Sequence, residues 1–234
     1  MEVKRLYKDL ENWIEAAKTY AEIKSDNIYS CFCRNFAETH FINVSQFHVL
    51  DAGCGDGEYT EMFREKGAMA TGCDGSYKVI EIAKTQYPHC SFDVVDLSKQ
   101  LPYEENKFDL VFSNLVLMDI GEIKGTIQEF ARVLKTGGKL FFSIVHPAFC
   151  LADWEKNDAG VIVCKKVTSY LTPRDIEMLW LTQPVMHYHR PISYYFNLIA
   201  ELGFTFLKMY EPEVYEDAKI PDIPLYLFAE FIKQ

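Results

Sequence analysis

The sequence lacks long apolar runs and an excess of basic residues, and each absence narrows the possible functions. No stretch reaches the roughly 18 uninterrupted apolar residues that identify a membrane-spanning helix. The opening run MEVKRLYKDLENW is charged throughout and has no apolar core of a secretion signal, so we expect a cytoplasmic protein. Lysine and arginine number 24 against 34 aspartates and glutamates, and the net charge of −10 disfavours nucleic acid as a partner.

Cysteine is present, but not in a pattern that holds a metal or a disulfide framework. The chain has seven cysteines, none of which forms a C-x-x-C motif. Cys31 and Cys33 are a close pair without a second pair, which a tetrahedral zinc site would need. The sequence therefore predicts reduced thiols and no bound metal.

Length and composition predict one globular domain. The 234 residues are 49% apolar and 25% charged, which provides a full core. Strand-like and helix-like segments alternate between residues 47 and 145, which is typical of βαβ units and a parallel sheet. The motif Asp119-x-x-Glu122 resembles a capping box that opens one of the helices.

Polar residues stand where the predicted strands end. Asp51, Asp74, Asp96 and Asn114 each close an apolar run. Because ligands of parallel sheets bind beyond the carboxyl ends of the strands, these four residues are candidate site residues.

A glycine loop, DAGCGDG at 51–57, follows the first predicted strand and opens a helix. Glycine lets a ligand approach the backbone, and the start of the helix offers unpaired N–H groups to an anionic group. The dinucleotide fingerprint G-x-G-x-x-G needs a third glycine at position 58, where this chain has Glu58. The loop also lacks the Lys-Ser/Thr pair of a P-loop, so a carboxylate fits this site better than a phosphate.

Two acids farther along the chain extend this candidate site. Asp74 lies 21 residues beyond Gly53, where an acid can accept hydrogen bonds from a ribose diol. Asp96 ends the third strand, within reach of an adenine edge. The positions together predict a ligand with a carboxylate, a ribose and a purine.

These motifs closely resemble those of the class I S-adenosylmethionine-dependent methyltransferases, in the same order and spacing. The matching segments are VLDAGCGDG at 49–57, TGCDGS at 71–76, VVDL at 94–97, FDLVFSNLVL at 108–117, RVLKTGGKLFFSI at 132–144 and, more loosely, HRPISYYFNLIAELGF at 189–204. The resemblance implies an α/β fold, a three-layer α/β/α sandwich. Its seven-stranded, mostly parallel sheet would have a reversed final strand at 225–232 and helices on both faces.

The resemblance also implies which residues bind S-adenosylmethionine and its product S-adenosylhomocysteine. The glycine loop would hold the methionine moiety and Asp74 the ribose. Asp96 and the Leu97 backbone would contact adenine, and Asn114 with Leu115 would flank the sulfonium end. The full predicted set is Asp51, Gly53, Cys54, Gly55, Gly57, Asp74, Gly75, Ser76, Asp96, Leu97, Asn114 and Leu115.

The predicted domain has four segments. They are a helical N-terminal lid (1–45), a cofactor-binding core (46–145), an acceptor-pocket insertion (146–190) and a closing helix with strands (191–234). The insertion is rich in aromatic residues and interrupts the strand–helix rhythm, as functional insertions often do. We therefore predict a small-molecule acceptor.

Candidate acceptor residues come mostly from this insertion. His146 directly follows the fifth strand and is the candidate general base, which is needed only for a nucleophile that arrives protonated. Predicted substrate contacts are Tyr20, Tyr170, His187 and His189.

Other functions stay open at this point. A protein or RNA methyltransferase is an alternative, although the run Ser113-Asn114-Leu115-Val116 lacks the Asp/Asn-Pro-Pro-Tyr/Phe motif of enzymes that methylate DNA amino groups. A non-catalytic S-adenosylmethionine-binding regulatory or partner protein is another. The oligomeric state is left open between monomer and homodimer.

Overall fold

The computed structural model describes residues 28–150, 152–180, 183–212 and 222–234. Its α-helices are α1 (Ile28–His40), α2 (Glu58–Glu65), α3 (Tyr77–Gln86), α4 (Ile123–Val133) and α5 (Ile192–Glu201). Its strands are β1 (His48–Ala52), β2 (Met69–Asp74), β3 (Ser91–Val94), β4 (Phe108–Asn114), β5 (Leu134–Val145), β6 (Asp153–Lys156), β7 (Ile162–Lys166), β8 (Arg174–Trp180), β9 (Gln183–His189), β10 (Phe204–Tyr210) and β11 (Tyr226–Lys233).

Seven of these strands form one sheet, in the order β10-β11-β5-β4-β1-β2-β3. Strands β1 to β5 pair in parallel, whereas β11 runs antiparallel to both β5 and β10. The predicted mostly parallel sheet with a reversed final strand is therefore confirmed. The reversed strand starts at Tyr226 and lies inside the sheet, because β10 forms the edge.

Helices cover both faces of the sheet, as predicted. Alternate residues of a strand point to opposite faces, and in β4 Val111 packs toward α4 and α5 while Phe112 packs toward α1 and α2. In the second layer, Phe36 of α1 stacks on Phe228 with ring centroids 4.2 Å apart. The three-layer sandwich therefore follows from the period-2 pattern of strands combined with amphipathic helices.

The segment 146–190 contains two antiparallel hairpins, β6–β7 and β8–β9. Its assignment as an acceptor-pocket insertion stays a prediction. Within the predicted N-terminal lid, the structure describes residues 28–45, where α1 packs on the sheet. None of the helices in the described ranges combines the length and apolar character that a bilayer crossing requires.

The predicted capping box at Asp119 is wrong. Asp119 ends a separate 3₁₀ turn, Leu117–Asp119, and α4 begins at Ile123 with Glu122 as its N-cap. The Glu122 carboxylate accepts a hydrogen bond from the Lys124 backbone N–H at 2.8 Å. Arg190 donates to the carbonyls of Ile120 and Gly121, which lie between the turn and α4.

Candidate active site

The glycine loop leaves β1 and turns into α2 beside an open space. Gly53, Gly55 and Gly57 have left-handed φ angles of 81°, 54° and 88°. An added Cβ would lie 2.3 Å from Val116 at Gly53 and 2.5 Å from Phe92 at Gly57, so packing excludes larger residues there. At Gly55 the same position has no atom within 4 Å. Gly53 and Gly57 therefore allow the loop to pack, and Gly55 leaves room for a ligand.

Asp74 joins the glycine loop to the next turn. Its Oδ2 accepts the Gly55 N–H at 3.1 Å, and its Oδ1 accepts the Ser76 N–H at 2.8 Å. Burial is the largest influence on this carboxyl and raises its pKa, whereas the two N–H donors oppose that shift. Each carboxylate oxygen has further lone pairs, so Asp74 keeps acceptor capacity for a ligand hydroxyl. Ser76 caps α3, and Gly75 lies half-buried between the two residues.

Asp51 and Cys54, the other predicted residues of the loop segment, are buried. The Asp51 carboxylate accepts the Thr60 hydroxyl at 2.7 Å. Burial raises the pKa of the Cys54 thiol well above its usual range, which disfavours the thiolate that a nucleophilic cysteine needs. Gly53 and Cys54 both donate their N–H groups to the Cys73 carbonyl. Asp51 and Cys54 therefore support the loop from below.

The turn after β3 holds the predicted adenine contacts. Asp96 is exposed, and its Oδ1 accepts the Ser98 N–H at 2.9 Å and the Ser98 hydroxyl at 2.6 Å. Leu97 is buried, and its carbonyl accepts the Thr126 hydroxyl at 2.9 Å. The structure places both residues at the same edge of the sheet as Asp74.

The end of β4 is held in a strained conformation. Leu115 has a left-handed φ of 57°, which is uncommon for a residue with a side chain. Its N–H donates to the Ser143 carbonyl at 3.0 Å and to the Ser143 hydroxyl at 3.1 Å. That hydroxyl donates in turn to Asn114 Oδ1 at 2.6 Å. Sequence reasoning missed Ser143, because its role depends on the register between β4 and β5.

His146 follows β5 as predicted, but both nitrogens of its ring are engaged. Nδ1 accepts the Ala148 N–H at 3.2 Å, so Nε2 carries the proton that it donates to Glu211 at 2.7 Å. Burial lowers the pKa of His146, and Glu211 opposes this shift. The catalytic role of His146 stays a prediction, and this geometry gives the ring a structural role.

The predicted acceptor contacts lie around β9. His189 Nε2 donates to the Tyr170 carbonyl at 2.8 Å, which leaves its buried Nδ1 without a partner among the described residues. The Tyr170 hydroxyl accepts the Ile192 N–H at the start of α5. Burial, followed by the charges of neighbouring cationic groups, lowers the pKa of His187 to about 4. Tyr20 lies outside the described residues.

Arg190 is the main site residue that sequence reasoning missed. It is buried, and its guanidinium donates to the carbonyls of Leu117 at 3.2 Å and of Ile120 and Gly121 at 2.7 Å. It therefore fixes the turn after β4 from the start of α5. Its position within the matched run HRPISYYFNLIAELGF was the available signal. No group of three or more possible metal ligands is found in the described ranges.

Residues 50–142 match the family model described as a methyltransferase domain. Among curated proteins, a malonyl-[acyl-carrier protein] O-methyltransferase of Buchnera aphidicola is 30% identical over 72% of this chain and 66% of its own length. A ubiquinone biosynthesis O-methyltransferase of Coxiella burnetii is 26% identical over 74% of this chain and 80% of its own length. The chain spans between 39% and 66% of the lengths of the malonyl O-methyltransferases that it matches.

A solved structure has the same fold. The S-adenosylmethionine-dependent methyltransferase from Mesorhizobium loti superposes with a TM-score of 0.76 at 23% identity, covering 90% of this chain and all of that chain. The family match spans β1 to β5, which build the edge of the sheet where the glycine loop and Asp74 meet. Residues 50–142 therefore belong to the methyltransferase domain family, and the chain has the fold of the class I S-adenosylmethionine-dependent methyltransferases.

Proposed function

We propose that this chain transfers a methyl group from S-adenosylmethionine to a small-molecule acceptor. The observation that carries the proposal is the glycine loop, whose Gly55 faces open space while its N–H is held by Asp74. The cofactor carries its methyl group on a sulfonium. A nucleophile can attack this methyl group, and the group that leaves is neutral. The protein then has to align donor and acceptor, which supplies much of the rate enhancement in such displacements.

Each part of the cofactor has a candidate partner at this edge. The N–H groups at the start of α2 suit its carboxylate, and Asp74 suits its ribose. Asp96 and Leu97 are the candidates for adenine, and Asn114 and Leu115 for the sulfonium end. In this proposal Asp51, Cys54, Gly75 and Ser76 shape the loop and the adjoining turn without needing a direct contact.

The two hairpins support a small acceptor. Lys165 of β7 donates to the Phe149 carbonyl at 2.7 Å, which ties the first hairpin to the turn after β5. Tyr188 of β9 lies against Gly121, where an added Cβ would be 3.1 Å from its ring. Each hairpin thus contacts a turn that follows β4 or β5. The similarity to an O-methyltransferase of ubiquinone biosynthesis supports the same acceptor size.

Calorimetric titration with S-adenosylmethionine and with S-adenosylhomocysteine tests the cofactor part. We expect both to bind and NAD not to compete. Binding of NAD alone would contradict the proposal.

An acceptor screen that measures formation of S-adenosylhomocysteine tests the transfer part. Turnover with phenols, quinols or small amines supports a small acceptor. Cofactor binding without turnover on any acceptor would favour the non-catalytic alternative, and turnover on protein or RNA alone would favour a macromolecular acceptor.

A further inference from the structure

Asp119 carries a carboxylate that the fold does not use. It ends the 3₁₀ turn Leu117–Asp119, five residues beyond Asn114 at the carboxyl end of β4. Its backbone N–H donates to the Val116 carbonyl at 2.8 Å. Within the described ranges, however, its carboxylate forms no hydrogen bond or ion pair. Asp119 is therefore a candidate ligand-binding group.

The charged and titratable groups near Asp119 belong to several different segments of the chain. Burial raises the pKa of Cys150, beyond β5, and of Tyr195 on α5, and the negative charge of Asp119 adds to both shifts. The charge of Lys165 acts on Cys150, and its ammonium donates to the Phe149 carbonyl at 2.7 Å. Arg190 donates to carbonyls of the turn itself. The nearby cations are thus engaged elsewhere, and neither forms an ion pair with Asp119.

Asp119 also differs from His146 and His189 because its carboxylate is neither engaged nor fully buried. Protein atoms surround it closely enough that burial raises its pKa well above the usual range, yet the residue is half-buried and its carboxylate oxygens are not among the fully buried unpartnered atoms of the described residues. Both ring nitrogens of His146 are engaged, and the free Nδ1 of His189 is fully buried. A partly accessible, unpartnered carboxylate in such surroundings is typical of a residue that lines a site.

We propose that Asp119 binds the nucleophile of the acceptor and takes up its proton, so that the acceptor presents a hydroxyl or an amine. This inference rests on the proposed function. The acceptor oxygen or nitrogen forms a bond to the methyl carbon while the carbon–sulfur bond breaks. The bonding pair goes to sulfur, and the proton of the acceptor goes to the Asp119 carboxylate.

The same geometry disfavours a carboxylate as the acceptor. Such a group arrives without a proton and therefore needs no base. Above the pH at which Asp119 ionises, it would also meet the Asp119 charge at short range, in surroundings where repulsion is weakly screened. Asp119 would thereby select against acidic acceptors.

Thermal unfolding of Asp119→Asn against pH tests whether the carboxylate is unpartnered, without any assay of activity. Because the folded pKa is raised, wild-type stability falls as pH rises from the usual aspartate range through the raised pKa. The asparagine variant lacks this loss. We expect equal melting temperatures near pH 4 and a variant that melts ~2–4 °C higher at pH 8. A variant that melts lower at pH 8 would show that the carboxylate has a stabilising partner and would overturn the proposal.

Acceptor binding is tested on protein saturated with S-adenosylhomocysteine, using catechol, benzylamine and benzoate as single-ring probes. We expect catechol or benzylamine to bind and benzoate not to bind. If S-adenosylhomocysteine itself fails to bind, the proposed function fails first. If it binds while both catechol and benzylamine fail, the assignment of Asp119 is wrong.

Methyl transfer to the bound probe then tests the proton acceptor. The wild-type rate should rise with pH through the Asp119 pKa, and Asp119→Asn should lower it at least tenfold and remove that pH dependence. Affinity for S-adenosylhomocysteine should not change. Asp158→Asn, which removes an exposed charge from the β6–β7 turn, is the matched control and should behave like the wild type. An unchanged rate and pH profile in Asp119→Asn would overturn the proposal.

Discussion

The carboxyl edge of the sheet has two halves, which differ in whether their polar groups are hydrogen-bonded. In the half after β1 and β2, the Asp74 carboxylate is held by the N–H groups of Gly55 and Ser76. In the half after β4 and β5, Asp119 and His189 Nδ1 have no hydrogen-bond partner among the described residues. The first half is organised before a ligand binds, whereas the second half keeps polar groups free.

The comparison separates two kinds of substitution. Changes in the cofactor half, defined by the loops 53–57 and 75–76, should alter cofactor affinity. Changes in the acceptor half, defined by the turns 116–121 and 146–150 with the two hairpins, should alter acceptor use while cofactor affinity is kept. Four predictions test this separation, from the largest expected effect to the smallest.

Gly57→Ala should have the largest effect. Alanine at the left-handed φ of 88° costs about 1–2 kcal/mol, and the contact with Phe92 adds about 1–3 kcal/mol. Urea unfolding should therefore show a loss of roughly 2–5 kcal/mol. Gly55→Ala is the matched control, because its Cβ enters open space. It should cost only about 1–2 kcal/mol but impair cofactor binding. Equal losses of stability in both variants would contradict this account of the loop.

Arg190→Met should destabilise the protein by about 2–4 kcal/mol, because the carbonyls that the buried guanidinium binds lose their hydrogen-bond donor. Acceptor turnover should fall while affinity for S-adenosylhomocysteine stays within about threefold. Arg190→Lys should be intermediate, since one ammonium cannot reproduce the planar fork. An equal loss of cofactor affinity and turnover would show that the two halves are coupled.

Asp74→Ala should weaken binding of S-adenosylhomocysteine by about 1.5–3 kcal/mol, measured by calorimetry, because charge-assisted hydrogen bonds are lost. Asp158→Ala serves as a surface control and should bind normally. Unchanged affinity in Asp74→Ala would mean that Asp74 is not the ribose ligand and only ties the loop.

His187→Gln should reduce the sensitivity of the fold to acid. The folded pKa of His187 is about 4, below its ordinary value of 6.5, so the unfolded chain binds this proton first. The stability contributed by the neutral ring is present above pH 6.5 and is lost as pH falls toward 4. Between pH 7 and pH 5, the variant should lose about 1–2 kcal/mol less than the wild type in urea unfolding. Identical pH dependence would show that His187 is not held neutral.

Much of the cofactor half could be predicted from the sequence. The acids that close β1 and β2 and the glycine spacing are local patterns, and the family resemblance orders them. Ser76 caps α3, and such capping depends on residues within a single turn. The roles of Asp96, Leu97, Asn114 and Leu115 stay predictions about a ligand, although the structure brings these residues to the expected edge.

The acceptor half could not be predicted to the same depth. The predicted capping box at Asp119 is wrong, and the carbonyls of Ile120 and Gly121 between the turn and α4 bind Arg190, about seventy residues later. His146 stood at the expected strand end, but its engagement by Glu211 depends on a contact across 65 residues. Long-range hydrogen bonds of this kind leave no local pattern in the sequence.

The sequence by itself determined the α/β architecture, the glycine loop and the position of Asp74, because apolar periodicity and glycine placement act over a few residues. Only the tertiary structure decided which polar groups at the sheet edge are satisfied and which are free. The sequence predicts a ribose ligand at Asp74 and a helix cap at Asp119, and in neither case does it show which groups bind the carboxylate. The two carboxylates differ because backbone N–H groups donate to the Asp74 carboxylate, whereas the cations nearest to Asp119 bind other groups. The placement of hydrogen-bond donors is a property of the folded chain.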